Sequence, residues 1–483
     1  YAVNGLLQVG DENGPVEGQL GYGQVVPNAT VTIRGQTSTR YAQKNYRITI
    51  RDNKGTWDDQ KVINLNKHEQ DQSRFANKLC YDLMSELPGM IAMRTRFVHL
   101  YVKDMTEGGS GEFKDYGLYT QVEQLNKTAL KAHGLDKNGH LYKVNNFEFY
   151  RYEDTIKLAD DPDYNQAAFE GMLEIKGDSD HTKLIEMLDA LNDESQKIDD
   201  VLDTYFDTEN LVYWLAFQIL TGNCDTQNRN CYLYSPLNSK TWYFLDWDND
   251  GMLRKLELSL TGFSDYASWE RGVSNYWGNV LFNRALRSKS FRSELDRAVK
   301  DLRSYLTEAR LAKMIKHYRE VTESLVFASP DIDNLPVTMD QYEQIATSIP
   351  SEIEENYKSY CESYKKPMPF YIGVPKIDNG KLRMNWDAAY DFEARDIRYT
   401  VELARDYAIS DVLFKTEDVL LPEVTCDAPD SGQYFVRVRA TNSDGYTQDA
   451  FDCYVTDGGK QYGMKCFYVQ DGGRVVEDTY EEG

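Results

Sequence analysis

The stretch TGNCDTQNRNCYLYSPLNSKTWYFLDWDNDG, residues 221–251, decides how this chain is read. Just ahead of it, Asp207 precedes NLVYWLAFQIL (210–220), a run apolar on almost every side. That pattern predicts a buried helix with Asp207 as its N-cap and Gly222 as its stop. Beyond the stop, CYLY (231–234), the turn SPLNSK (235–240) and WYFLDWD (242–248) predict a β-hairpin. Asp225 stands in the loop before the hairpin, Asn230 follows five residues later, and Asp246, Asp248 and Asp250 cluster where the second strand ends. Carboxylate and amide oxygens fixed at the ends of one hairpin keep their separation constant, which suits hard cations such as Mg²⁺ or Mn²⁺.

Working outward, residues 1–30 are Gly-rich and polar, with a short strand-like piece at Gln24–Val26. From Val31 the pattern turns to strands: VTIRG, then YAQKNYRITIRD (41–52), where Lys44, Tyr46, Ile48 and Ile50 share one face at period two. A helix is predicted over Ser73–Ser85, then strands over 96–104 and 116–125 around a Gly/Ser tip at 107–112, then LYKV at 141–144. A Lys on an apolar face needs a partner, and Glu123 is the candidate for Lys44. Lys143 competes with Lys44 for a phosphate-contacting role, and the residues alone do not choose between them. Trp247 reads as core packing or as an aromatic facing an adenine; Arg34 and Arg47 read as structural ion pairs or as phosphate ligands. Two helices broken near Thr307 are expected in 288–327 and another in 339–363. At KPMPF (366–370) the pattern changes to LRMNW, YTVELAR and QYFVRVRATNSDGY, strand–turn–strand at the spacing of a small all-β sandwich.

Composition narrows the classes. At 483 residues the chain is long enough for about three domain-sized units. With 54 Lys+Arg against 78 Asp+Glu, a net charge of −24 argues against nucleic-acid binding and against an anionic membrane surface. No uninterrupted apolar run is long enough for a membrane span. Seven Cys include no Cys-x-x-Cys, six His include no His-Glu-x-x-His, and there is no Gly-x-Ser-x-Gly, so zinc-protease and serine-hydrolase routes lack support. The chain starts at Tyr1 without Met, which reads as a processed form or a fragment and says nothing of compartment. One rival uses the same residues: Asp246 to Glu257 satisfies D-x-[DN]-x-[DN]-G-x₅-E, a Ca²⁺-loop pattern, although WYFL reads as strand where an EF-hand needs helix.

The order of loop Asp, Asn five residues on, short hairpin and further Asp is the order of parts in protein kinases. The chain resembles the CotH spore-coat kinases, atypical protein kinases of bacterial coat and secreted proteins. The resemblance is carried by IRGQTSTRYAQKNYRI (33–48), HEQDQSRFANKLCYDL (68–83), DYGLYTQVEQL (115–125), GHLYKV (139–144), DTQNRNCYLY (225–234) and WYFLDWDND (242–250). It implies an α+β bilobal kinase-like domain over 31–365, ATP with Mg²⁺ or Mn²⁺, and phosphorylation of Ser or Thr on a secreted or surface protein. By the same resemblance Asp225 is the catalytic Asp, Asp248 and Asn230 hold metal, and Asp250 is a further candidate ligand. Lys44 with Glu123, or Lys143, and Trp247 are then the nucleotide-side candidates. The kinase Gly-rich loop is missing, and RGQTS (34–38) is the candidate phosphate cradle in its place. The alternative is a non-catalytic surface or assembly scaffold that binds nucleotide or Ca²⁺. Residues 368–470, with Trp386, Tyr434 and the Asn-Ser-Asp-Gly turn at 442–445, resemble a fibronectin type III module, an immunoglobulin-like sandwich, followed by an acidic tail at 471–483. Such a module would serve placement at a cell surface or in an extracellular assembly.

Overall fold

The computed structural model describes residues 2–35, 37–262, 266–456 and 459–478, with the side chain of Thr37 outside that description. The chain divides into two compact units, Tyr1–Gly262 with Ser290–Glu354, and Phe263–Lys289 with Glu355–Gly483.

The first unit opens with six antiparallel strands: β1 (Ala2–Gly5), β2 (Ala29–Arg34), β3 (Asn45–Ile50), β4 (Val62–Asn66), β5 (Thr95–Lys103) and β6 (Phe113–Glu123). Their order across the sheet is β1-β2-β3-β4-β6-β5. Alternation puts Ile48, Ile50, Ile63, Leu65 and Tyr119 into one apolar cluster. Two expectations are corrected here. Gln24–Val26 forms no strand, because it has no pairing neighbour, and Val25 is 90% exposed. Lys44 lies before β3 rather than on its buried face. Helix α1 (Ala76–Ser85) starts three residues later than Ser73. Asp71 explains the delay: its Oδ1 accepts from the Ser73 N–H and hydroxyl at 3.0 and 2.5 Å, and its Oδ2 from the Ala76 N–H at 2.9 Å. That network makes 71–75 a capping loop.

The sheet is fastened to a distant part of the same unit by a buried ion pair. Lys67 Nζ lies 2.8 Å from Asp331 Oδ1, with both side chains at most 1% exposed. Asp331 Oδ2 accepts the Leu118 N–H at 2.8 Å, and Lys67 donates to the Tyr116 carbonyl at 2.6 Å. Gly117 between them has φ +76°, and a Cβ there would sit 1.8 Å from Asp331 Oδ2, so only glycine fits.

The rest of the first unit is mostly helical around a small sheet. Helix α2 (Thr208–Thr221) is capped by Asp207, whose side chain accepts from the Asn210 N–H at 2.9 Å, and stops at Gly222 with φ +70°. Strands β7 (His140–Val144), β8 (Leu173–Ile175), β9 (Cys231–Ser235) and β10 (Tyr243–Asp246) pair in the order β8-β7-β9-β10. Register places Lys143 opposite Tyr232, and Cys231 opposite both Val144 and Asp246. The hairpin's open end and the C-terminal end of β7 therefore meet at one place. Helices Lys289–Tyr305 and Glu308–Val326 break at Thr307, which caps the second by accepting from the Arg310 N–H, and Met339–Ser363 forms the long last helix.

In the second unit, a three-stranded sheet (376–378, 381–385, 423–427) and a larger one built on 397–404, 412–419, 432–442 and 464–469 share a core that includes Leu382, Met384, Trp386, Tyr399, Val401, Val436 and Phe467. Val475–Glu477 adds a strand against Phe467–Val469, so the sheet continues into the expected acidic tail; residues 479–483 lie outside the described residues. Residues 266–289 belong to this unit too. There the Trp277 ring stacks on Tyr390 at 5.2 Å, and the Val273 N–H donates to Ser363 Oγ at 3.1 Å. Among the described residues no helix is long and apolar enough to cross a membrane.

Candidate active site

The site is built on the loop after α2 and the end of β10. Asp225 is held from its own chain: Asn223 Oδ1 accepts its N–H at 3.3 Å, and Asn223 Nδ2 donates to Gln218 Oε1 at 3.0 Å. Gln218 in turn donates to Asp246 Oδ1 at 2.7 Å, which joins the helix end to the hairpin beneath the loop. Asp225 keeps 58% of its side chain exposed and accepts from Asn230 Nδ2 at 2.9 Å. Asn230 has φ +57°, a left-handed turn that Asn tolerates better than most residues and that folds its amide back on Asp225.

Strand β10 ends at Asp246, and the three acids after Leu245 separate into different roles. Asp246 is 1% exposed; burial pushes its carboxyl up to about 7 against hydrogen bonds from Gln218, Asn249 and Trp214. It is an internal brace. Asp248 follows in a left-handed conformation, φ +63°, its N–H donating to the buried Tyr81 hydroxyl at 3.1 Å. Burial raises the Asp248 carboxyl, while Arg34 and Lys143 oppose that rise. Asp250 is raised well above the usual carboxylate range, first by the charge of Asp248 and then by burial, with Arg254 opposing. Asp225 and Asp71 add to the same negative field.

Cations face this acidic centre from two strands. Arg34, the last residue of β2, hydrogen-bonds Asn66 Oδ1, and its guanidinium lies 6.0 Å from the centre of the Trp247 ring. Burial lowers its pKa, and Asp248 is the main opposing charge. Lys143 lies 3.3 Å from Glu174 Oε1. Trp247 is buried, edge-on to Tyr232 at 5.5 Å. In RGQTS, Gln36 and the Thr37 side chain lie outside the described residues; Ser38 Oγ donates to the Arg34 carbonyl at 3.3 Å.

Other expected residues are placed elsewhere. Lys44 donates to the carbonyls of Thr39, at 3.0 Å, and Tyr41, whereas Glu123 pairs with Arg94 at 2.6 Å and His133 at 2.8 Å. The Lys44–Glu123 pair is not formed, because each group has nearer partners. The EF-hand alternative is not formed either. A strand precedes the acids, Asp246 is engaged by Gln218, and Glu257 by Arg254 and by the Gln72 N–H at 3.0 Å. Sequence reasoning missed Asp71, Arg254 and the weight of Arg34. Asp71 sits in HEQDQSRF, where an Asp two residues ahead of a Ser and just before an apolar helix signals a cap but not its proximity to Asp250.

The model of the CotH kinase protein family matches residues 31–360, more than half of the chain. The chain belongs to the CotH kinase family. The match spans the sheet, the hairpin and the long helices of the first unit and runs through residues 263–289 and 355–360 of the second; all-β sheets follow this CotH kinase-like region. Among solved structures the chain is similar to the crystal structure of a Helicobacter pylori proinflammatory kinase, CtkA, at 8% identity and a TM-score of 0.28, over 66% of this chain and 91% of that one. No curated protein matches.

A CotH kinase implies ATP and a divalent metal in general terms. Among the described residues no three His, Cys, Asp or Glu side chains group so as to hold an ion alone. Asp248 and Asp250, two residues apart past the end of β10 with the charge of Asp248 raising the Asp250 carboxyl, still fit such an ion, because Mg²⁺-type sites complete their shell with water and substrate phosphate.

Proposed function

We propose that this CotH-family protein is an atypical protein kinase that transfers the γ-phosphate of ATP to Ser or Thr of a secreted or surface protein. The observation that carries it is the placement of the parts: Asp225 and Asn230 hydrogen-bonded on the loop after α2, and Asp248 and Asp250 just past the end of β10, with Arg34 and Lys143 the cations whose charge acts on Asp248. Such a centre is destabilised by its own charge until a cation enters, and the flanking cations suit the phosphates that a cation brings. Asp248, Asn230 and Asp250 would hold the metal, which when bound would neutralise phosphate charge. Arg34 and Lys143 would orient the phosphates, with Trp247 as a wall of the nucleotide site.

Asp225 would take the acceptor's side. Its exposed carboxylate can receive the proton of a Ser or Thr hydroxyl as that oxygen bonds to the γ-phosphorus and the bond from phosphorus to the ADP oxygen breaks. The Asn230 amide holds the carboxylate in one orientation. Transfer then depends mostly on position, which rigid anchoring of both loop ends supports.

The sandwich of the second unit would be a fibronectin type III-like docking module at 368–470. Supporting that, the Tyr434 hydroxyl donates to the Asp430 carbonyl at 2.8 Å, and Trp386 packs edge-on to Tyr399 at 5.2 Å.

The test is nucleotide titration of wild type and Asp248→Ala, each with and without Mg²⁺ or Mn²⁺. Metal-dependent ATP binding in wild type that falls at least about tenfold in the variant supports the site. Equal affinity in all four conditions contradicts it.

A further inference from the structure

After β7 the chain runs as loop and turns until a helix begins at Gln166, and within 145–152 two non-glycine residues take left-handed backbone: Phe149 at φ +64° and Tyr152 at φ +42°. Such conformations are strained for residues with a side chain and persist where surroundings impose them. Here the surroundings are aromatic. Phe147 and Phe149 are fully buried with ring centres 4.9 Å apart, Phe149 stacks on Phe244 of β10 at 5.9 Å, and the Tyr152 ring lies 5.9 Å from Phe147. Glu148 is thus fixed between two anchored rings and aimed outward.

What it meets is the Asp225–Asn230 loop. Glu148 Oε1 accepts from Asn228 Nδ2 at 2.6 Å, and Oε2 accepts from the Tyr152 hydroxyl at 2.5 Å. Beside it the Phe147 N–H donates to the Asn228 carbonyl at 2.9 Å. Arg229 Nη2 donates to Asn146 Oδ1 at 3.0 Å, and Arg229 Nε lies 3.4 Å from Asn228 Oδ1 and 3.7 Å from Asp225 Oδ1. The middle of the loop is therefore fastened to 146–148 by backbone, carboxylate and amide together. Of these ties two are charge-assisted, the Glu148 carboxylate on Asn228 and the Arg229 guanidinium on Asn146, and the first is the one that holds Asn228 itself.

We propose that Glu148 is a positioning residue that clamps Asn228 and thereby holds Asp225 and Asn230 in transfer-competent register; this rests on the kinase reading of the same site. Glu148 touches neither reacting atom. It acts on rate through the orientation of Asp225, where small misplacements are costly in rate.

The experiment compares wild type, Glu148→Ala, Glu148→Gln, Asn228→Ala and the Glu148→Ala/Asn228→Ala double variant. Two readouts are used: steady-state phosphoryl transfer with Mg·ATP, and hydrogen exchange of the backbone amides of 225–230. Glu148→Ala should lower kcat about 10- to 100-fold, with the KM for ATP changed far less, and should speed exchange in the loop. Glu148→Gln keeps an oxygen for the Asn228 amide and should recover most of the rate. The double variant should be no worse than either single one, since both remove the same tie. Unchanged exchange in Glu148→Ala, a Gln variant as slow as the Ala variant, or fully additive losses overturns the proposal. Absence of transfer by wild type overturns the kinase reading beneath it. The two failures are distinguishable, because exchange reports the clamp without any turnover.

Discussion

The hairpin region at 218–257 and the strand sheet at 29–123 arrange their charged residues in opposite ways. In the hairpin region Asp225 finds Asn223 and Asn230, and Glu257 finds Arg254, within five residues, although Asp246 and Glu257 also reach Gln218 and Gln72. In the sheet, the partners of Lys67 and Glu123 arrive from ten or more residues away. Lys67 pairs with Asp331, while Glu123 takes Arg94 from the neighbouring strand's approach and His133 from beyond it. The difference explains which expectations held. A loop tied at both ends turns spacing into geometry, whereas a sheet lets several cations compete for one carboxylate.

The largest expected effect sharpens the sheet side of this comparison. Lys67→Met leaves Asp331 buried without its cation, and removing one member of a buried pair costs about 3–5 kcal/mol. Chemical denaturation should show that loss; a change below about 1 kcal/mol would mean that Asp331 finds another partner. The next effect is pH-dependent. Burial alone would push the Glu123 carboxyl up, but hydrogen bonds from His133 and Arg94 outweigh it and hold the group at about 2, from an ordinary 4.5. A depressed pKa stabilises the fold above pH 4.5, and that contribution, about 3 kcal/mol, drains away as pH falls from 4.5 towards 2. Glu123→Gln should flatten the stability profile over that window, as followed by urea midpoints. The smallest effect separates the two lysines. Among the described residues Lys44 bonds only backbone carbonyls, so Lys44→Ala should cost about 1 kcal/mol or less and leave ATP affinity unchanged. Lys143→Ala, by contrast, should weaken Mg·ATP binding about tenfold in a titration. Equal effects of the two substitutions would break the comparison.

Helix α2 and the hairpin were legible in the sequence because each has local punctuation: an Asp207 cap, a Gly222 stop and a turn of Ser, Pro and Asn. Asp225, Asn230 and Asp248 were singled out by the order of parts along that stretch, and the structure brings the Asn230 amide onto Asp225. Asp71 was not, since its place near Asp250 depends on how α1 packs, and α1 is fixed by contacts such as the Tyr81 hydroxyl with the Asp248 N–H. The Lys44–Glu123 pair was misread because period-two alternation cannot show where a strand begins. One residue of difference, Asn45 rather than Lys44, removes the Lys from the buried face. The sandwich strands were likewise legible, but not the inclusion of 266–289 in their unit, which rests on tertiary contacts such as Trp277 with Tyr390.

The central claim is that Asp225 serves transfer while Asp248 serves metal and nucleotide. It is tested most directly by radiolabelled ATP transfer, autophosphorylation included, on wild type and Asp225→Ala, with Mg·ATP affinity measured on the same samples. The account predicts label in wild type, loss of about 10²- to 10⁴-fold in Asp225→Ala, and ATP affinity unchanged by that substitution. Transfer by Asp225→Ala at the wild-type rate would contradict it, as would a wild type that binds Mg·ATP and transfers nothing.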